Sequence, residues 1–400
     1  MSICHLTLRR ALGGLLAAPL IAGACAASAA PYAPSSDSQV VERLPLRASD
    51  EPARQLAALR TQWRRDPTDA AVAVRLADAY IEQAGAEGDP RFIGYAQSAL
   101  QHWWATADPP PAVRVRRAIV LQYDHRFDAA LADLNAAVQA DPDDAQAWAW
   151  ITAIELVRTD LDRARVACEQ LSDLAADLVG AACHAQIDAL TGRATQAATS
   201  LRAALLDEPQ ADPALRVWAL TRLAETEERR GDAVSAERAY RDALALRVPD
   251  VYLLAAYADF LLDNGRPAEV MTLLKDHARA DVLLLRLAIA AKATNDPKRD
   301  ALARELAARF DAARARGDTT HRKEESRFML ALQGDVERAL TLARANYEQQ
   351  REVADARILL EAALAARQRA AAQPVLQWMA ASGVESPVLH ALAAKLRELP

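Results

Sequence analysis

From about residue 53 to Leu399, apolar residues recur three and four positions apart, the spacing that places them on one face of an α-helix. Roughly every 13 to 20 residues the pattern breaks at Asp-Pro, Gly-Asp or Gly-Arg pairs. No stretch alternates with a period of two, so the pattern predicts an all-α chain of many short helices. The first thirty residues differ. Arg9 and Arg10 precede an apolar run from Ala11 to Ala24, and Ala27-Ser28-Ala29 follows it, which is the layout of a secretory signal cleaved near Ala29. Cys25 leaves a second reading open, a lipoprotein anchored at that thiol, and only that reading brings in a membrane. Residues 30–52 hold four prolines and no helical period, so they read as an extended linker before a folded body over 53–400.

Regular breaks call for a search for internal repeats. Over AIVLQYDHRFDAALADLNAAVQADPDD, residues Ala118, Leu121, Ala130, Leu134, Ala137 and Pro142 follow one another at fixed offsets. The frame returns at Trp148, Ala164 and Cys168, and again at Ala185, Gly192, Ala197, Leu201, Ala204 and Pro209. Further copies carry Ala224, Gly231, Ala236, Tyr240 and Ala243, then Ala258, Gly265 and Leu274, then Gly334, Ala339 and Ala343. An upstream copy begins near Ala70 and has about seven extra residues around GAEGDPRF. The pattern resembles the tetratricopeptide repeat, with the best copies in 111–275 and 320–353 and poorer ones in 281–318 and 354–399. That resemblance implies a right-handed superhelical solenoid of antiparallel helix pairs. Small residues sit where helices approach, and Gly192, Gly231, Gly265 and Gly334 end the first helix of a pair in a left-handed conformation.

The resemblance also implies a concave groove lined by the first helix of each pair. Its frame places Asp78, Ile119, Gln122, Tyr123, Gln146, Trp150, Gln186, Trp218, Thr221, Glu225, Glu228, Tyr252 and Asp259 on that groove. Aromatic anchors among amides and carboxylates suit another protein or peptide as partner. The carboxylate-clamp variant is not expected, because Val115, Ile119, Ala149 and Ala153 occupy its places. Exported proteins of this look serve assembly of the cell envelope, which makes a scaffold or adaptor the expected role. A self-assembling chain, forming a homo-oligomer, is the alternative. A sugar-binding or enzymatic solenoid is the third, but Glu225 and Glu228 share one helix face rather than flanking a bond.

Composition narrows the picture further. Hydrophobic residues make up 52% of the 400 but aromatics only 5%, so Ala, Leu and Val carry the core and favour helix. The 54 acidic and 48 basic residues are interspersed and leave a net charge of −6, which points to no nucleic-acid partner. The seven histidines never fall at metal-ligand spacing, and no phosphate-binding glycine loop or nucleophile motif occurs, so no metal, cofactor or catalytic group is expected. Beyond Ala30 two cysteines remain. Cys168 and Cys183 are placed symmetrically about a turn near residue 175, which permits a disulfide between adjacent helices; two small buried residues in an alanine-rich core are the other reading.

Overall fold

The computed structural model describes Ser36 and residues 50–399. The signal segment, Cys25 and nearly all of the expected linker lie outside the described residues. Among those residues every regular element is helical. Helix α1 (Glu51–Arg65) leads into nine antiparallel pairs. They are α2 (Ala70–Glu87) with α3 (Arg91–Ala99), α4 (Pro111–Tyr123) with α5 (Phe127–Ala140), α6 (Ala145–Arg158) with α7 (Leu161–Leu174), and α8 (Asp177–Ala189) with α9 (Ala194–Asp207). There follow α10 (Pro213–Arg230) with α11 (Ala233–Ala245), α12 (Val251–Asp263) with α13 (Pro267–Leu273), and α14 (Asp281–Ala293) with α15 (Arg299–Ala315). The last are α16 (Arg322–Phe328) with α17 (Val336–Gln349), and α18 (Val353–Ala365) with α19 (Gln373–Ser382); α20 (Pro387–Arg397) closes the chain.

One left-handed residue marks the turn inside each pair. These residues are Gly88, His125, Thr159, Gly192, Gly231, Gly265, Asn295, Gly334 and Arg367, spaced 30 to 39 positions apart. The four glycines picked out by the repeat frame are among them. Where His125, Thr159, Asn295 and Arg367 stand instead, the fold holds a side chain in a conformation that favours glycine. Asn295 and Arg367 lie in the two stretches where the frame fades, yet α14 with α15 and α18 with α19 are full pairs. The Asp-rich breaks are helix caps: Asp144, Asp160, Asp212, Asp232, Asp250 and Asp335 each accept an amide from the first turn that follows. Each cap contributes about 1 kcal/mol. Ala118, Ala130, Ala137, Ala164, Ala224 and Ala236 are fully buried, which lets neighbouring backbones approach.

The Cys168 and Cys183 sulfurs are bonded at 2.18 Å, joining α7 to α8 across the turn at residues 175–176. The bond closes a separation of 15 residues. Loop entropy for that length corresponds to about 3 kcal/mol. A Cys168→Ala, Cys183→Ala chain is therefore expected to unfold at lower urea than the oxidised parent and to be insensitive to reductant. An unchanged midpoint would contradict the bond's role.

The solenoid coils back on itself, so that early pairs touch later ones. The extra residues near Gly88 do not form a loop; they lengthen α2 to 18 residues, against 13 in α4. Its tip at Gly88 reaches Val251 and Ala280, at the starts of α12 and α14. Along the same seam, the C-terminal pairs cover the turns of earlier ones. Arg351 donates its amide to the Val157 carbonyl at 2.9 Å, and Glu385 accepts the Ala194 amide at 2.9 Å. Gln350 meets His125 at 3.0 Å, and Arg357 grips Asp263 through bonds of 2.5 and 2.7 Å.

Candidate functional site

Coiling leaves a half-open chamber of about 1000 Å³. First helices of the pairs form most of its wall, together with residues 316–321 and the start of α20. From α4, α6, α8 and α10 the wall takes residues toward the C-terminal ends: Tyr123, Leu156, Gln186, Glu225. From α14 and α16 it takes the N-terminal halves, represented by Val282 and Lys323. The stripe thus crosses the helices obliquely, as the superhelical twist requires.

Tyr252 lines the chamber with half of its surface exposed. Its hydroxyl donates to Glu225 at 2.5 Å, and the Arg222 guanidinium lies 4.5 Å from its ring centre and 3.1 Å from Glu225. Burial raises the Tyr252 hydroxyl above the ordinary tyrosine range, with Arg222 pulling the other way. One helical turn along α10, Glu228 accepts the Tyr240 hydroxyl. Burial pushes Glu228 up to about 8, the Tyr240 bond opposing the shift and Glu225 adding to it. Asp259 is taken by Arg286 and Arg327, each at 2.6 Å; burial acts to raise its carboxyl, but the two guanidinium groups prevail and hold it at about 2. Lys323 stands 3.7 Å from Asp355 and 3.8 Å from Glu352, tying α16 to the start of α18.

Of the residues the repeat frame placed on a groove, Tyr123, Gln186, Glu225, Glu228, Tyr252 and Asp259 line the chamber. The remainder need correction. Thr221 and Ile119 are buried in the helix-pair core, Thr221 bonding the Val217 carbonyl of its own helix. Trp218 packs against the core of the middle pairs and Trp150 against that of α4–α6. Gln146 is exposed at the start of α6, outside the chamber, and Gln122 also lies off its wall. Asp78 is bound by Arg116 of the next pair at 2.8 Å. These positions fail because the frame treats every first helix alike, whereas the oblique stripe selects different halves of different helices. Arg222, Lys323, Glu324, Glu352 and Arg357 line the chamber without having been singled out. The arginine signal at 222 was present beside Glu225; the others lie on α16 and α18, at its edges.

Two groups make stability depend on pH in opposite senses. His125, at the α4–α5 turn, is lowered from 6.5 to about 4, first by burial and then by Lys323. The unfolded chain then binds a proton below pH 6.5 that the folded chain refuses, so stability is lost as pH falls from 6.5 toward 4. Glu228, raised from 4.5 to about 8, works the other way: stability is lost as pH rises from 4.5 toward 8. Thermal melts across pH 4–8 are expected to show a flatter alkaline limb in Glu228→Gln and a flatter acid limb in His125→Gln. Parallel profiles for parent and variants would contradict these assignments.

No protein-family model matches the chain, and no curated protein matches it. Among solved structures it is similar to a tetratricopeptide repeat protein from Parabacteroides merdae, at 13% identity and a TM-score of 0.42, over 64% of this chain and 90% of that one. It is similar also to the APC/C hetero-tetramer Cut9–Hcn1, at 12% identity and 0.47, over 83% of this chain and 64% of that one. A third is the P58(IPK) TPR domain, at 14% and 0.21, over 82% and 95%. Superposition at this level leaves the assignment to the chain itself, with its nine helix pairs, its left-handed turn every 30 to 39 residues and its small residues at the crossings. On that geometry the chain has the fold of a tetratricopeptide-repeat solenoid.

Proposed function

We propose that the chain is a non-enzymatic binding scaffold of the cell envelope, exported by its N-terminal segment, that holds an extended stretch of a partner polypeptide in the central chamber. The observation that carries this reading is the chamber itself, about 1000 Å³ walled mostly by the first helices of successive pairs, with Tyr252 on its wall presenting half its surface. A half-exposed tyrosine fixed by Glu225 and Arg222 offers an aromatic face at little entropic cost, the quality that marks binding anchors. Glu225 and Glu228 each engage a tyrosine hydroxyl, which is positioning rather than acid-base chemistry. The bonded Cys168–Cys183 pair suits an oxidising compartment.

The test is recovery of the tagged full-length chain from its host alongside Tyr252→Ala. Loss of a stoichiometric polypeptide from the variant alone is the expected result. A polypeptide recovered equally with both places binding on another face and overturns the chamber reading.

A further inference from the structure

The charges around Tyr252 answer one another. Arg222 is taken up by Glu225 and by the tyrosine ring, and Lys323 by Glu352 and Asp355. Asp259, about two turns along α12 from Tyr252, is held by Arg286 and Arg327, and Glu228 by the Tyr240 hydroxyl. What this part of the wall leaves to a ligand is apolar. Ala255 and Ala256, three and four residues after Tyr252 and so on its face of α12, are partly exposed and line the chamber.

Among the described residues, seven large apolar side chains are exposed. Five are spread over α3, α7, α9 and α11, the second helices of their pairs. The other two, Tyr252 at 50% and Val388 at 38%, both line the chamber. Helix α10 connects them. Tyr252 bonds Glu225, and Pro387, next to Val388, lies against Gly231 at the end of the same helix, where a Cβ would stand 3.4 Å from the proline ring. From Glu225 to Gly231 is about 9 Å along the helix axis. Single apolar residues on a convex surface are ordinary, whereas apolar surface gathered on a concave wall marks a binding site.

We infer that the wall from Tyr252 to Val388 is a subsite for uncharged apolar side chains, so that the segment held in the chamber is recognised there by aliphatic or aromatic residues and not by charge. The inference rests on the chamber being a peptide site. An apolar side chain laid on Tyr252 and Val388 removes apolar surface from water, which favours binding. A charged one gives up its water and meets carboxylates and guanidinium groups that already have partners, so its desolvation goes uncompensated. The subsite therefore selects against charge as well as for apolar area.

The experiment pans a displayed library of short random peptides against the full-length protein, then measures binding of the enriched synthetic peptides to the parent, Tyr252→Phe, Tyr252→Ala and Val388→Asp. Enrichment of aliphatic or aromatic residues at fixed positions is expected, with an affinity that changes less than about twofold between low and high salt. Tyr252→Phe keeps the ring and should bind like the parent. Tyr252→Ala and Val388→Asp should each bind about tenfold or more weakly, in scale with the loss of one apolar contact. Val388 is exposed in the first turn of α20, where an aspartate favours the helix, so free Val388→Asp is expected to melt no lower than the parent. That melt separates a binding defect from a folding defect. Peptides that need Tyr252 but carry a fixed charged residue and weaken steeply with salt, or that bind Val388→Asp unchanged, overturn the subsite and leave the peptide-binding chamber standing. If no peptide is enriched over a scrambled control, or the enriched ones are indifferent to both Tyr252→Ala and Val388→Asp, both readings fall.

Discussion

Replacing Asp133 with alanine is expected to lower the unfolding free energy by about 3–5 kcal/mol, as removal of one partner from a buried ion pair does. Asp133, on α5, receives both arms of the Arg117 guanidinium at 2.6 Å, and both residues are buried. The remaining arginine nitrogen donates to the carbonyls of Trp103, Trp104 and Thr106 at 3.0, 3.2 and 2.8 Å. One side chain therefore ties α4 to α5 and organises the turn carrying the paired tryptophans. In the parent the pair is satisfied; in the variant a guanidinium stays buried without its counter-charge. Urea unfolding followed by tryptophan fluorescence measures the loss. Arg117→Met combined with Asp133→Ala should recover part of it, because no orphaned charge remains. A single variant within about 1 kcal/mol of the parent would mean that water reaches Arg117 and the pair is not a structural tie.

Gly88→Val is the second large effect, and it acts on closure of the superhelix. Gly88 ends the lengthened α2 at φ 65, and an added Cβ would come within 2.8 Å of the Ala280 Cβ and 3.0 Å of a Val251 methyl. A β-branched residue in that conformation costs about 1–3 kcal/mol in backbone strain, and overpacking of the contact adds a similar amount. The contact joins the second helix of the chain to α12 and α14, so strain there is relieved most simply by parting the two. The expected result is a lower melting temperature together with a larger radius of gyration in solution scattering. A variant that melts lower but stays as compact would show that closure does not depend on this seam.

These effects mark where the sequence was informative. The helix pairs were legible from alanine and leucine at fixed offsets and from glycine at the turns, since packing of adjacent pairs is a local matter that leaves a periodic trace. Pairs α14–α15 and α18–α19 were faint because they match the alanine and leucine offsets poorly, and Asn295 and Arg367 stand in place of the turn glycine as well. The chamber was half legible. Tyr252, Glu225 and Glu228 follow from the frame, but Thr221, Trp150 and Trp218 do not line it. Which half of each helix faces inward depends on how far the solenoid coils, and that is fixed by contacts such as Gly88 with Ala280 and Arg357 with Asp263, 192 and 94 residues apart. The charge run Arg322-Lys323-Glu324-Glu325 reads as a solvated face, yet Glu324 and Glu325 are buried.

The most direct test of the account places a photoreactive phenylalanine at position 252, facing the chamber, and in a separate chain at Val234, exposed on α11. After irradiation in the native host, the account predicts a discrete adduct with one other polypeptide from position 252 and none from 234. An adduct from 234 alone, or none from 252 while the chain remains folded, would contradict the claim that the chamber is where the partner is held.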